Sequence, residues 1–210
     1  MKFLSNTFFF FTLLPFVSLI SLPTDVQPIS FLLGLLIILI LALKNELIIT
    51  KIDVYIIFLA ILSYVYISYE AKDLYENGFT SANTAIRRQV GMTFVFVIYV
   101  ASKNVFKNFN VKILFFVTFI QTLFTILNLA LPVIYNFFAI RFLRTVKIDF
   151  TEYDGFRGAS GLTTEPTYLS GSALAYFALA ALFLKKKEIS NKYFLIITIL
   201  CIFMLLMSKS

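Results

Sequence analysis

The stretch "VKILFFVTFIQTLFTILNLAL", residues 111–131, carries one charged residue, Lys112, and that residue stands at its beginning. An α-helix rises about 1.5 Å per residue, so this stretch as a helix is roughly 30 Å long. The hydrocarbon core of a bilayer is also about 30 Å thick. We therefore predict that residues 111–131 cross a membrane as one helix.

The composition extends this prediction to the whole chain. Of the 210 residues, 60% are hydrophobic, 26 are phenylalanine and only 14% are charged. A soluble domain of this length does not bury so much apolar surface. We predict an all-α fold: a polytopic integral membrane bundle of about seven transmembrane helices, forming a single domain over residues 1–210. The predicted spans are 3–22, 29–43, 52–68, 90–102, 111–131, 167–184 and 193–207.

The charges in the loops predict the orientation of the bundle. Lysine and arginine residues near the ends of spans are retained on the cytoplasmic side. With a cytoplasmic N-terminus, one side carries ten lysines against three acidic residues, and the other carries eight basic against eight acidic residues. The formal charge of +7 therefore lies on the predicted cytoplasmic side, and it reports topology rather than binding of nucleic acid. The long outer loops are 69–89 and 132–166.

The two predicted sides also differ in the kind of basic residue they carry. Every cytoplasmic cation is a lysine, whereas all five arginines are outside. The planar guanidinium binds phosphate or carboxylate oxygens through two parallel hydrogen bonds, which lysine does not do. The arginines are therefore candidate ligand-binding residues; pairing with the outer acidic residues, or snorkelling at the mouth of the fourth span, stays open as an alternative. They are Arg87, Arg88, Arg141, Arg144 and Arg157.

The segment "IRFLRTVKI", residues 140–148, lies inside the second outer loop. A helix would place Arg141, Arg144 and Lys147 on one side and apolar residues on the other. This pattern is typical of a helix that lies in the membrane interface.

The stretch "FRGASGLTTEPTYLSGSALAYF", residues 156–177, leads from this loop into the sixth predicted span. Gly158 and Gly161 allow a sharp turn whose backbone N–H groups approach a ligand, with Arg157 as a further donor. Pro166 suits the first turn of the following helix, whose N-terminus favours an anion. Glu165 is either a helix cap or a functional carboxylate. We predict an anion-binding site here, at the outer surface.

These residues resemble a motif of the bacterial O-antigen polymerase and O-antigen ligase superfamily. Its pattern, R-x-x-G-[LF]-x-x-E-P-x-x-x-[AG], precedes a membrane helix in those proteins. Arg144 and Gly155 also have the spacing of an R-x10-G pattern described for the polymerases. The positions that match the first pattern at its own spacing are Gly161, Leu162, Glu165 and Pro166, while Arg157 and Gly171 each lie one residue further from them than the pattern has.

The resemblance implies polymerisation of undecaprenyl-pyrophosphate-linked oligosaccharide units on the outer face of the bacterial cytoplasmic (inner) membrane, as in O-antigen or capsule synthesis. The arginines, with Gly158 and Gly161, would bind the pyrophosphate and the glycan. Glu165 or Asp154 would act as general base. No metal and no cofactor is implied. The expected partners are membrane lipid, the lipid-linked glycan, a flippase and a chain-length regulator.

Other interpretations stay open at this point. A ligase of the same superfamily would share this part of the chain, and a flippase or transporter of lipid-linked oligosaccharides would also use arginines. The acidic residues Asp149, Glu152 and Asp154 resemble an incomplete cation loop, although solvated loop charges or partners of the arginines explain them as well. Members of the family have ten or more spans. We therefore expect this chain to be the N-terminal part of a longer protein.

Overall fold

A computed structural model describes residues 1–15, 17, 29–77, 82–142, 158–163 and 166–208 of the chain. Within this part the regular structure is helical and contains no strand, which confirms the predicted all-α fold class. A short 3₁₀ segment, Phe106–Asn108, follows the fourth helix. The α-helices are α1 (Lys2–Leu13), α2 (Ile29–Leu43), α3 (Lys51–Glu76), α4 (Ala82–Val105), α5 (Val111–Ala130), α6 (Pro132–Phe142), α7 (Pro166–Lys185) and α8 (Asn191–Ser208).

Three of the described helices, α5, α7 and α8, are long and apolar enough to cross a membrane. Only 22–33% of the residues in their most hydrophobic stretches are buried inside the protein. Apolar side chains that face outwards need an apolar solvent, which lipid supplies. Helix α2 is apolar too, but shorter. The generic membrane character is therefore supported, while seven spans and a cytoplasmic N-terminus remain predictions.

The first predicted span, 3–22, is longer than the helix that forms there. Helix α1 ends at Leu13, and Leu14 and Pro15 are no longer helical. Proline has no backbone N–H, and its ring disfavours the helical conformation of the residue before it. At about 1.5 Å per residue, α1 is roughly 18 Å long. This helix alone is too short to cross a hydrocarbon core.

The two segments predicted as outer loops are more helical than expected. Helix α3 continues to Glu76 and α4 begins at Ala82, so most of 69–89 prolongs these two helices. In the segment 132–166, helix α6 occupies the first eleven residues. The predicted loop 69–89 was bounded by the end of an apolar run, but the polar residues that follow this run in 69–76 still favour helix. In 132–166, Pro132 begins a second helix of mainly apolar residues directly after α5.

The chain divides into two compact units. The first contains Met1–Phe8 and Ile20–Asn108, and the second contains Phe9–Leu19 and Phe109–Ser210. In the first unit, α2 and α3 both pack against α4. Gly34 of α2 lies where an added Cβ would be 3.1 Å from Val97 of α4, so these two helices approach closely. The prediction of a single transmembrane domain is left open by this division.

A buried carboxylate joins α3 to α4 within the first unit. Asp53, in the first turn of α3, accepts hydrogen bonds from the backbone N–H and the hydroxyl of Thr50, and the first of these is one half of a capping box. Its other oxygen accepts from the hydroxyl of Tyr99 at 2.9 Å. Lys103 of α4 forms an ion pair with the same carboxylate and donates to the Thr50 hydroxyl. The carboxylate is thereby satisfied from four sides.

The second unit is built around α5, which contacts α6, α7 and α8. Helices α7 and α8 form a hairpin across residues 186–190 and share the largest interface of the unit. Pro132 begins α6 directly after Leu131, so α6 turns back against α5. This arrangement leaves a space between α5, α6, α7 and the end of α8 for the segment that precedes α7.

Candidate functional site

The described part of the motif, Gly158–Thr163, is a buried turn rather than an exposed loop. All six residues are buried. The turn closes on itself, because the backbone N–H and the hydroxyl of Thr163 both donate to the carbonyl oxygen of Ser160, at 3.0 and 2.6 Å. A buried backbone needs such partners, since unpaired polar groups are costly away from water.

Side chains of α5 and α6 hold this turn in place. The hydroxyl of Tyr135 in α6 donates to the carbonyl oxygen of Gly161 at 2.7 Å and lies 2.8 Å from the Ser160 hydroxyl. The side-chain oxygen of Asn128 in α5 accepts from the backbone N–H of Ser160 at 2.8 Å. Burial raises the pKa of the Tyr135 phenol above its ordinary value, so this group stays neutral and remains a donor. The turn therefore has anchors on two helices.

A third anchor is the C-terminal end of α8. The backbone N–H of Ala159 donates to the carbonyl oxygen of Met207 at 2.9 Å. The last four carbonyl groups of a helix have no partner inside the helix. Here the turn supplies the missing hydrogen-bond donor. The backbone N–H of Ala159 and the carbonyl oxygen of Met207 therefore satisfy each other.

Gly161 occupies a position that excludes other residues for two reasons. Its φ of +57° lies in the left-handed region, which is unfavourable for residues with a Cβ. An added Cβ would also lie 2.8 Å from the Thr125 hydroxyl oxygen and 3.2 Å from Leu169 Cδ1. The motif glycine is thus required by the turn and by the close approach of α5 and α7.

The face of α5 towards this turn is polar. Three buried threonines each satisfy their hydroxyl on the carbonyl oxygen four residues earlier, and they are Thr118, Thr122 and Thr125. Gln121 differs from them. Its side chain is 1% exposed, and neither its amide nitrogen nor its oxygen has a hydrogen-bond partner in the described part of the protein. The amide nitrogen would lie 3.1 Å from a Cβ at Gly161, so it borders the motif.

The predicted site residues are described only in part. Gly158 and Gly161 belong to the buried turn. Arg87 and Arg88 belong to α4 and Arg141 to α6, while the predicted roles of their side chains lie outside what the structure describes. The predictions for Arg144, Asp154, Arg157 and Glu165 fall outside the described residues. Arg157 is bonded directly to Gly158, and Glu165 directly to Pro166, the first residue of α7.

The residues that hold the turn were not predicted from the sequence. Asn128 lies in a span predicted from its apolar character and Tyr135 in a predicted outer loop. Ser160 lies in the motif, where the prediction used the glycines, Arg157, Glu165 and Pro166. One signal was available: Thr118, Gln121, Thr125 and Asn128 recur every three or four residues in an otherwise apolar helix. This is the spacing of one helix face, and polar residues inside a membrane helix usually face protein rather than lipid.

The anchored turn Gly158–Thr163 provides structural support for a site and does not itself provide reactive side chains. In the described part of the chain, no cluster of three or more histidine, cysteine or acidic residues is arranged to hold a metal ion.

Comparisons of the chain with protein-family models, curated proteins and solved structures found no match.

Proposed function

We propose that this chain transfers glycans from undecaprenyl pyrophosphate to a lipid-linked acceptor, polymerising repeat units on the outer face of the bacterial cytoplasmic membrane. The resemblance of residues 157–171 to a motif of the O-antigen polymerases and ligases suggests this chemistry. The single observation that carries the proposal is the burial of Gly158–Thr163 and its attachment to three helices. A site needs such support, because reacting groups must be held within a fraction of an ångström of the productive geometry.

The buried turn supports the assignment of functional roles to Arg157 and Glu165, which flank it in the sequence. Arg157 precedes the turn and Glu165 follows it by two residues. Each is tied by a short stretch of backbone to an anchored residue, Gly158 or Pro166. In the proposal, Arg157 and Arg144 bind the donor pyrophosphate, and Glu165 or Asp154 receives the proton of the acceptor. Arg141, Arg87 and Arg88 are further candidates for contacts with the phosphates.

The proposed reaction is a glycosyl transfer that balances without a metal or a cofactor. The acceptor hydroxyl oxygen attacks the anomeric carbon of the donor sugar and forms the new glycosidic bond. The bond between this carbon and the pyrophosphate oxygen breaks, and undecaprenyl pyrophosphate leaves. The hydroxyl proton passes to the carboxylate. Negative charge grows on the leaving pyrophosphate, so arginines aimed at it stabilise the transition state.

The membrane helices of the second unit suit such a donor. Its polyprenyl chain remains in the bilayer while its pyrophosphate lies at the surface. Helices α5, α7 and α8 are long and apolar enough to line the path of such a chain. The motif directly precedes α7, so the proposed contacts with phosphate lie where a helix enters the membrane.

The test is an assay of polymer length on lipid-linked repeat units, with the amount of membrane-inserted protein measured for each variant. Loss of one bidentate, charge-assisted contact costs on the order of 2–3 kcal/mol, so Arg157→Ala should lower the rate ~30- to 150-fold. Arg157→Lys keeps the charge but loses the planar fork, and it should be substantially impaired as well.

The control is Lys185→Ala, which removes an exposed cation at the other end of α7 and should leave the rate unchanged. Normal polymer from both Arg144→Ala and Arg157→Ala, at normal protein abundance, would overturn the proposal. Transfer of single units to another acceptor, without polymer, would point to the ligase activity instead.

A further inference from the structure

A groove lies within the second unit between the N-terminal ends of α5 and α8. Its volume is about 680 Å³, which falls in the range of small-molecule binding sites. The walls come from the first two turns of both helices and from the loop that joins α7 to α8. The groove is remote in sequence from the motif and plays no part in the proposed glycosyl transfer.

The inner part of the groove is apolar. Ile197 is completely buried beneath it. Phe115 of α5 and Tyr193 of α8 form one wall, with their rings in an edge-to-face contact at 5.9 Å. Phe116 and Tyr193 are 53% and 55% exposed, so this apolar wall is open to the surroundings. From Val111 to Phe116 the groove runs along α5 for about 8 Å, at ~1.5 Å per residue.

The mouth of the groove is cationic. Lys112 and Glu188 both line the groove, and Lys112 forms no ion pair with Glu188 or with any other residue in the described ranges. The last residue of α7, the adjoining loop and the first turn of α8 add four more exposed lysines and no acidic residue besides Glu188. These lysines are Lys185, Lys186, Lys187 and Lys192. The five lysines therefore leave a clear excess of positive charge around an apolar interior.

The combination selects one class of ligand. A soluble anion would pair with the lysines but would make no apolar contacts with Phe115, Phe116 and Ile197. A neutral lipid chain would fit the wall but leaves Lys112 uncompensated. An anionic phospholipid satisfies both, since basic pockets at the membrane ends of helices bind such head groups. Lys112 and Tyr193 stand in the first turns of helices long enough to span a bilayer, at the depth where head groups meet acyl chains.

We propose that this groove binds an anionic phospholipid of the phosphatidylglycerol type, with the phosphate at Lys112 and an acyl chain along Phe115, Phe116 and Ile197. The proposal requires only that α5 and α8 lie in a bilayer. It holds or fails independently of glycosyl transfer, because its readout is lipid binding.

The absence of tryptophan from the chain allows a direct test. Tyr193→Trp places one fluorophore in the groove, and Leu195→Trp places one on the same helix at an exposed position outside it. Each full-length variant is reconstituted in vesicles of equal parts phosphatidylglycerol and phosphatidylcholine. The bromine quencher is carried on the acyl chains of one lipid or of the other, so both vesicles have the same charge.

At position 193, brominated phosphatidylglycerol should quench more strongly, with a relative binding constant about fivefold in its favour, the factor expected for one lysine near a head group. At position 195 the two lipids should quench equally. Lys112→Gln should remove the preference at 193, whereas Lys112→Arg should keep it.

Three results would overturn the proposal. One is equal quenching by the two lipids at 193, which is expected if a zwitterionic head group pairs with both Lys112 and Glu188. Another is an equal preference at 193 and 195, which indicates general attraction of anionic lipid. The third is a preference that survives Lys112→Gln. If Lys112→Gln fails to fold, the lipid preferences at positions 193 and 195, measured with Lys112 intact, still test the proposal.

Discussion

The hydroxyl of Tyr135 donates a 2.7 Å hydrogen bond to the carbonyl oxygen of Gly161, across 26 residues of sequence. Tyr135 belongs to the short helix α6, and Gly161 belongs to the motif that precedes α7. Both residues are buried. This bond, together with the contact to the Ser160 hydroxyl, makes α6, a helix in a segment predicted as loop, one of the supports of the motif.

Tyr135→Phe should destabilise the second unit. The substitution keeps the ring but leaves the buried Gly161 carbonyl oxygen without this donor and the Ser160 hydroxyl without this acceptor. An unsatisfied buried polar group costs about 1–3 kcal/mol, and we expect a loss of that size in detergent-solubilised protein unfolded by heat. The control is Tyr66→Phe, which removes an exposed hydroxyl on α3 and should change nothing. Equal stability of the two variants would contradict the support assigned to α6.

Gly161→Ala should be more harmful than the same change at Gly171. At Gly161 a residue with a Cβ is strained by the left-handed backbone, and the Cβ itself would lie too close to the Thr125 hydroxyl. We therefore expect the free energy of unfolding to fall by about 2–4 kcal/mol. At Gly171, within α7, nothing lies within 4 Å of an added Cβ. Alanine there should be neutral or slightly stabilising. Thermal unfolding of both variants in the same detergent measures the difference, and a tolerated Gly161→Ala would refute the geometry of the turn.

Gln121→Met should stabilise the protein. The buried amide of Gln121 has no hydrogen-bond partner in the described part of the chain, and methionine has a similar length without its polar atoms. Relief of the unsatisfied amide should raise the free energy of unfolding by about 1–2 kcal/mol. Leu114→Met, on the same buried face, is the control and should be neutral or slightly destabilising. A destabilised Gln121→Met would mean that the amide binds a water molecule or another group in solution.

Asp53→Asn should loosen the connection between α3 and α4. The amide side chain cannot accept four hydrogen bonds, and it leaves Lys103 without its ion pair. We expect a lower midpoint of thermal unfolding than for Glu46→Gln, which changes an exposed carboxylate in the same unit. Combining Asp53→Asn with Lys103→Met should cost less than the sum of the two single changes, because they share one interaction. Additive effects would indicate that the pair contributes nothing.

The helices that agree best with the sequence are those defined by local signals. The predicted span 29–43 has the bounds of α2, and the prediction 111–131 differs from α5 by one residue. For the latter, Asn110 supplies a cap by accepting from the backbone N–H of Lys112. An apolar run of sufficient length and a capping residue at its beginning are properties of neighbouring residues, so they can be read without the fold.

For the candidate site too, local features could be predicted from the sequence and long-range contacts could not. The sequence by itself determined the helical fold class and the membrane character, and it predicted a turn at the motif glycines, because apolar length and the presence of glycine are local. The need for glycine at 161 follows from its φ of +57° and from the nearby Thr125 and Leu169, which the structure shows. Only the tertiary structure decided that Gly158–Thr163 is buried and that Asn128, Tyr135 and Met207 hold it. Those partners lie between 26 and 48 residues away in sequence, and hydropathy does not record which polar groups meet. They meet because a buried backbone must find donors and acceptors within reach, and packing of α5, α6 and α8 brings them there.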